Sequence, residues 1–277
     1  MSGPRVVALL LATLLLAGCA AQDEVPTATL QDDLAPMMEE VPVGDALARA
    51  LLDTTIAVHG GDALDRARMA FVFRGTPFVL TRDAGRFVYE RTRTDEAGLP
   101  VRDVLDNDGL RREVSGTAVP MDDRETRRTE TDVNSVAYFA LLPAPLTDPA
   151  VTPRYLGQDV IAGEPYERVE VTFAQDGGGR DWQDRYVYWL HAETRTMDYL
   201  AYSYELAPDA DGPNDTGHRF RIATNARTVG GVRVQDYRNH TADSIEALDD
   251  YAALVGTERL RRVSDVVLDS VTVELLR

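Results

Sequence analysis

Histidine, cysteine and isolated serine are the residue types from which nucleophilic or metal chemistry would first be sought in this chain. The four histidines, His59, His191, His218 and His240, lie far apart, with none of the short spacings that gather ligands round a metal. His59 ends an apolar helical stretch. A partly protonated imidazole there interacts favourably with the helix dipole and bonds the last carbonyls, a structural role favoured over a catalytic one. His191 begins an apparent turn, and His218 and His240 flank strands. Ser115 and Ser135 lack the strand–turn–helix context of a nucleophile elbow. Carboxylates are too plentiful for any pair to stand out as acid and base. Trp182, Tyr186, Tyr188 and Trp189 form an aromatic cluster, read as strand packing in preference to ligand stacking. The cluster Gly177-Gly178-Gly179 reads as a loop tip and not a phosphate cradle, because no helix follows it. No catalytic constellation emerges, so the expectation is a non-enzyme without cofactor or metal.

Cys19 is the single cysteine. Arg5 precedes an uninterrupted apolar run from Val6 to Leu16, too short for a membrane-spanning helix of roughly 20 residues but suited to a secretory signal. Leu16-Ala17-Gly18-Cys19 resembles a lipobox, with small residues at the cleavage point and a thiol to receive the diacylglyceryl group. An ordinary cleaved signal containing a chance cysteine is the alternative. The lipobox reading makes residues 1–18 a lipoprotein signal peptide and Cys19 an acylated anchor holding the chain to a membrane. Ala20, in place of an aspartate, favours the outer membrane, facing the periplasm.

The charge balance narrows the partners. The net charge is −17, and every basic residue is arginine. Such a surface opposes nucleic acid and anionic headgroups and favours solubility, while salt screens its self-repulsion. A GC-rich genome or a salty habitat would each account for the missing lysine. Without a second cysteine the folded part has no internal disulfide and must rest on an apolar core, for which 44% hydrophobic residues suffice.

These residues need elements to position them. Residues 19–43, rich in Asp, Glu, Pro and Thr, read as an acylated flexible tether. Leu47, Ala50, Leu51, Thr54 and Val58 then form a helical stripe ended by His59-Gly60-Gly61. Asp62 is expected to cap a short second turn. From Met69 the period becomes two: Phe71 and Phe73, Phe78 and Leu80, then Phe87 and Tyr89 share faces. Strands follow at 101–105, 110–114, 167–173, 185–190, 197–205, 218–228, 232–239 and 263–275, separated mostly by turn signals. A long interruption at 131–153 holds a helix-like piece and a proline-rich loop. Residues 44–277 thus read as one β-rich domain.

Several segments carry a resemblance: Ala57-Val58-His59-Gly60-Gly61, Tyr138-Phe139 with Leu142-Pro143, Leu146 and Asp148, Gly163-Glu164-Pro165-Tyr166, Tyr188-Trp189-Leu190-His191 with Thr194, Met197-Asp198-Tyr199-Leu200, Gly230-Gly231-Val232 and Gln235-Asp236-Tyr237. Together they resemble the DUF6503 family of bacterial lipoproteins. The resemblance implies a fold like that of the lipoprotein carriers LolA and LolB. That fold is mainly β (α+β), a strongly curved antiparallel sheet or incomplete β-barrel with helices covering the concave face. Here 45–58 and 132–142 would be the covering elements. It implies no catalytic residues.

The function expected is binding of a hydrophobic ligand, a lipid or acyl chain, in a half-barrel cavity. Phe71, Phe73, Phe78, Leu80, Phe87, Tyr89, Val171 and Phe173 are the candidate lining residues, although the same side chains would also fill a solid core. A non-catalytic envelope scaffold with protein partners, and a hydrolase with an unrecognised site, are the alternatives.

Overall fold

The structure is a computed structural model that describes residues 45–177, 182–206 and 215–276. The signal, Cys19, the tether, part of the glycine cluster and the turn segment 207–214 lie outside the described residues. Helix α1 spans Asp45–Val58 and α2 Gly61–Leu64, followed by strands β1 (Arg66–Phe73), β2 (Thr76–Asp83), β3 (Arg86–Thr94), β4 (Pro100–Asp106), β5 (Gly109–Val114) and β6 (Thr117–Val119). Helix α3 (Asp123–Leu141) and a 3-10 turn (Ala144–Thr147) lead into β7 (Val151–Ile161), β8 (Glu164–Phe173), β9 (Arg185–His191), β10 (Met197–Leu206), β11 (Asp215–Val229) and β12 (Val232–Thr241). A second 3-10 segment (Leu248–Leu254), β13 (Arg261–Val266) and β14 (Leu268–Leu275) complete the order.

The strands form two seven-stranded antiparallel sheets, ordered β14-β1-β2-β3-β4-β5-β6 and β13-β12-β11-β10-β9-β8-β7, which do not close into a barrel. The expected strand at 263–275 is therefore two strands, one in each sheet, broken at Val267. Sequence alternation does not register this break, because it comes from outside the segment. The Asp236 carboxylate of β12 accepts the Leu268 N–H at 3.0 Å and a bond from Arg227 at 3.2 Å, while Arg227 also donates to the Leu268 carbonyl. Strand β7 was not expected either. Pro153 argues against a central strand, but β7 is the edge strand of its sheet, where a missing N–H costs no ladder bond.

Helix α1 buries Ala48, Leu51, Leu52, Thr55 and Ile56 and leaves Val58 exposed. The buried stripe is thus displaced from the expected one, toward the more apolar pair Leu52 and Ile56. This face packs on Val169, Val171, Tyr188 and Leu200 of the second sheet. Burying one leucine such as Leu52 contributes about 1.5–3 kcal/mol. Gly60 takes a left-handed conformation (φ 73°) and caps α2, so Asp62 lies inside that helix and is not its cap.

The covering piece expected at 132–142 is a longer helix. It begins where Asp122 accepts the Glu125 N–H at 2.8 Å. Its apolar C-terminal half buries Val133, Ala137 and Leu141 against Met69, Phe78 and Leu80 of the first sheet. Its polar N-terminal half lies over a charged row of that sheet, in which Asp103 on β4 pairs with Arg91 and Arg112. The opposite face of the second sheet is covered too, by Tyr251, Ala252 and Leu254 packed on Trp189 and Phe220. A strand covered on both faces has no need to alternate, which accounts for the apolar run Tyr186 to Leu190.

Candidate functional site

The inner face of the second sheet sets aromatic and polar side chains in rows across neighbouring strands. Tyr186, Tyr202 and Arg219 stand opposite one another across β9, β10 and β11, and the next row places Tyr188, Leu200, Arg221 and Asn239 across β9 to β12. Above them, α3 presents Tyr138 and Phe139, turned away from the first sheet. Tyr138 lies 5.5 Å from Tyr186, ring centre to ring centre, and Phe139 lies 5.0 Å from Tyr202. The Tyr138 and Tyr188 hydroxyls are hydrogen-bonded at 3.0 Å.

These rings do not fill the space between helix and sheet. A cavity of about 400 Å³ remains, lined by Phe73, Tyr138, Phe139, Phe173, Tyr186, Tyr202 and Tyr237, with Asp132, Asn134 and Ser135 of α3 also on its wall. Its size falls in the range of about 300–1,000 Å³ usual for small-molecule sites. Desolvation pushes the Tyr138, Tyr186 and Tyr188 hydroxyls well above the ordinary tyrosine range, so they stay neutral. They offer hydrogen bonds and ring faces, and no base.

Three arginines line this wall, Arg74, Arg219 and Arg221, and of these Arg221 is the buried one. Arg221 is 7% exposed, donates from Nη2 to the Tyr202 hydroxyl at 3.1 Å, and has its guanidinium carbon 3.5 Å from the Phe139 ring centre. Its Nε and Nη1 are buried without a hydrogen-bond partner, as is Asn239 Oδ1. Nothing in the local sequence Arg219-Phe220-Arg221-Ile222 marks Arg221 as different from its neighbours. Alternation alone puts Arg219 and Arg221 on one face, and only the second clue, an arginine facing a side with so many aromatics, was available to find it.

The expected lining residues divide. Phe73 and Phe173 line the cavity, near Tyr138 and Tyr186. Phe71, Phe78, Leu80 and Tyr89 are buried in the core beneath α3, with Phe87 packed against it, and Val171 is buried beneath α1. Helices that cover the sheet closely enough to exclude water also fill the space over these six.

The histidines are dispersed. His59 is buried and its Nε2 accepts the Met197 N–H at 3.1 Å. Burial, aided by the charge of Arg233, lowers its pKa to about 4, so the imidazole is neutral and a charge–dipole role is ruled out near neutral pH. His191 Nδ1 accepts N–H bonds from its turn at 3.2 and 3.3 Å. His218 and His240 lie within β11 and β12, and His218 bonds the Tyr251 hydroxyl. Among the described residues, no group of three or more histidine, cysteine or carboxylate side chains is arranged to hold a metal ion.

The fold and the cavity define a class: an open, curved antiparallel β-protein with helices on its inner side and one aromatic pocket between helix and sheet. The chain belongs to the family described as "Family of unknown function (DUF6503)", which it matches over residues 40–267. No curated protein matches it in sequence. Among solved structures it is similar to a LolA superfamily protein from Nitrosomonas europaea, with 10% identity, a TM-score of 0.43, and coverage of 83% of this chain and 93% of that one. It is also similar to a DUF1329 family protein from Desulfovibrio piger, with 10% identity, a TM-score of 0.41, and coverage of 81% and 92%. At such identities and scores the likeness says nothing of what this chain binds.

Proposed function

We propose that this chain is an envelope lipoprotein, anchored through acyl groups on Cys19, that holds a lipid or acyl chain in the cavity beneath α3. Residues 1–18 are its signal peptide, 19–43 its tether and 44–277 its single folded domain, placed at the outer membrane and facing the periplasm. The observation that carries the reading is the aromatic cavity itself. Space of about 400 Å³ is left open among aromatic rings between α3 and the second sheet, whereas the C-terminal half of α3 packs closely on the first sheet. The role is carriage or sensing and not catalysis; no histidine stands among the residues around the cavity, and burial keeps its Tyr138 and Tyr186 hydroxyls neutral.

The chain from Ala20 onward, purified without detergent, is expected to take up one fluorescent fatty acid per molecule and to melt at higher temperature when loaded. At 100 times the dissociation constant, ligand linkage adds about 2.7 kcal/mol. Ser135→Trp, which sets an indole in the cavity wall, should abolish uptake and leave the unloaded melting temperature unchanged. Absence of saturable uptake, together with no lipid extractable from protein made in the native host, would defeat this reading and favour a scaffold working through protein contacts.

A further inference from the structure

We infer that Arg221 is the anchor for an acidic head group, and that the ligand is a single-chain aliphatic acid whose carboxylate pairs with this guanidinium while its chain lies among the rings. The inference rests on the pocket reading above and adds the chemical class of the ligand.

An arginine keeps its proton in a protein interior, so burial leaves it a charge to be balanced and five N–H donors to be satisfied. Arg221 has one acceptor, the Tyr202 hydroxyl, and its Nε and Nη1 have none. No ion pair involving Arg221 forms among the described residues, although arginines elsewhere in the chain are paired with carboxylates again and again. The Phe139 ring at 3.5 Å supplies an attractive face but no acceptor. A buried cation held by an aromatic ring and a neutral hydroxyl is costly unless an anion completes it, and the group lies in the wall of a cavity rich in aromatic rings.

Charge elsewhere in the wall selects among anions. Beyond Arg221, three carboxylates, Asp132, Asp184 and Glu205, outnumber two arginines, Arg74 and Arg219, in the same wall. Their field tolerates the single charge of a carboxylate better than the nearly double charge of a phosphate monoester. Nε and Nη1 are shielded from solvent, so the acid reaches them as neighbouring side chains give way. Phe139, which covers the guanidinium face, is the first of these.

The test uses the full chain in phosphatidylcholine vesicles and three photoactivatable probes of equal chain length: a diazirine fatty acid, its methyl ester and the matching lysophosphatidic acid. Crosslinked peptides are mapped by mass spectrometry. The acid should label peptides of α3, β10 and β11 at least tenfold more than the ester and more than the phosphate. In Arg221→Met, acid and ester should label alike, with a melting curve reporting that the variant is folded. Equal labelling by acid and ester in the unaltered chain overturns the inference while leaving the pocket reading intact, and needs no variant. A folded Arg221→Met that still prefers the acid overturns it as well. Stronger labelling by the phosphate overturns the carboxylate assignment. Failure of every probe to label these peptides defeats the pocket reading and this inference with it.

Discussion

Single buried ionisable groups set how this protein responds to acid. His59 in the folded chain titrates near 4, below its ordinary value of 6.5, because burial and then Arg233 oppose its charge. The unfolded chain therefore binds the extra proton first, and stability falls as pH drops from about 6.5 toward 4. Between pH 7 and 5 this one group should cost on the order of 2 kcal/mol. Burial lowers His218 and His240 too, so they add in the same direction. Urea unfolding of His59→Gln at the two pH values should show a shallower loss than the unaltered chain; equal slopes would remove His59 from the account. Asp103 is the opposite case. Burial raises its pKa, but hydrogen bonds from Arg112 and Arg91 outweigh burial and leave it below the ordinary carboxylate value. Its contribution persists down to acid pH and is lost only as pH falls through that lowered value. Asp103→Asn removes the carboxylate that Arg91 and Arg112 share, leaving Arg112 with Glu125 as its charged partner, and should cost about 1–3 kcal/mol in urea unfolding at pH 7. No sequence pattern distinguished Asp103 from other carboxylates, because its burial is made by α3, which lies outside its own strand.

Two glycine segments distant in sequence meet where α1 ends. A Cβ on Gly60 would lie 2.3 Å from the Gly231 carbonyl oxygen, and the Arg233 N–H donates to the His59 carbonyl at 2.9 Å. His59-Gly60-Gly61 and Gly230-Gly231-Val232 are thus one joint, which seats α1 against the β11–β12 hairpin. The sequence shows the reason for a glycine at Gly60, its left-handed backbone, but not the second reason, the approaching carbonyl. Gly85 has the same kind of backbone (φ 86°) with open space around it. Gly85→Ala should therefore cost about 1 kcal/mol. Gly60→Ala adds a clash with backbone and should cost on the order of 3 kcal/mol. Thermal melts of both variants compare the two, and equal losses would mean that the joint yields without strain.

Across the whole molecule the charge of −17 works against the compact state. Arginines are drawn into local pairs such as Arg102 with Glu90 and Glu113, both at 3.0 Å, while the excess carboxylates repel one another over longer distances. Salt shortens the Debye length from about 10 Å at 0.1 M to about 3 Å at 1 M, and removes the long-range term before the close pairs. The melting temperature should rise by several degrees on going from 0.05 to 1 M NaCl. A fall would show that surface ion pairs outweigh the general repulsion.

Local chemistry sufficed for much of the architecture. Alternation and turn residues located most of the hairpins, since a two-residue period and a Gly-rich turn are decided within a few residues, and Gly60 marked the end of α1. Membership of the family was legible in short motifs spread along nearly the whole folded part. Tertiary structure decided what lies over each face. Phe71 and Phe73 share one side of β1 in any structure, yet Phe71 is packed in the core and Phe73 faces a cavity, because α3 presses on the first and arches past the second. The same helix turns Arg221 from one more sheet arginine into a buried, half-satisfied cation. Periodicity fixes the direction in which a side chain points; the free energy of burying it depends on what chain packing brings to meet it.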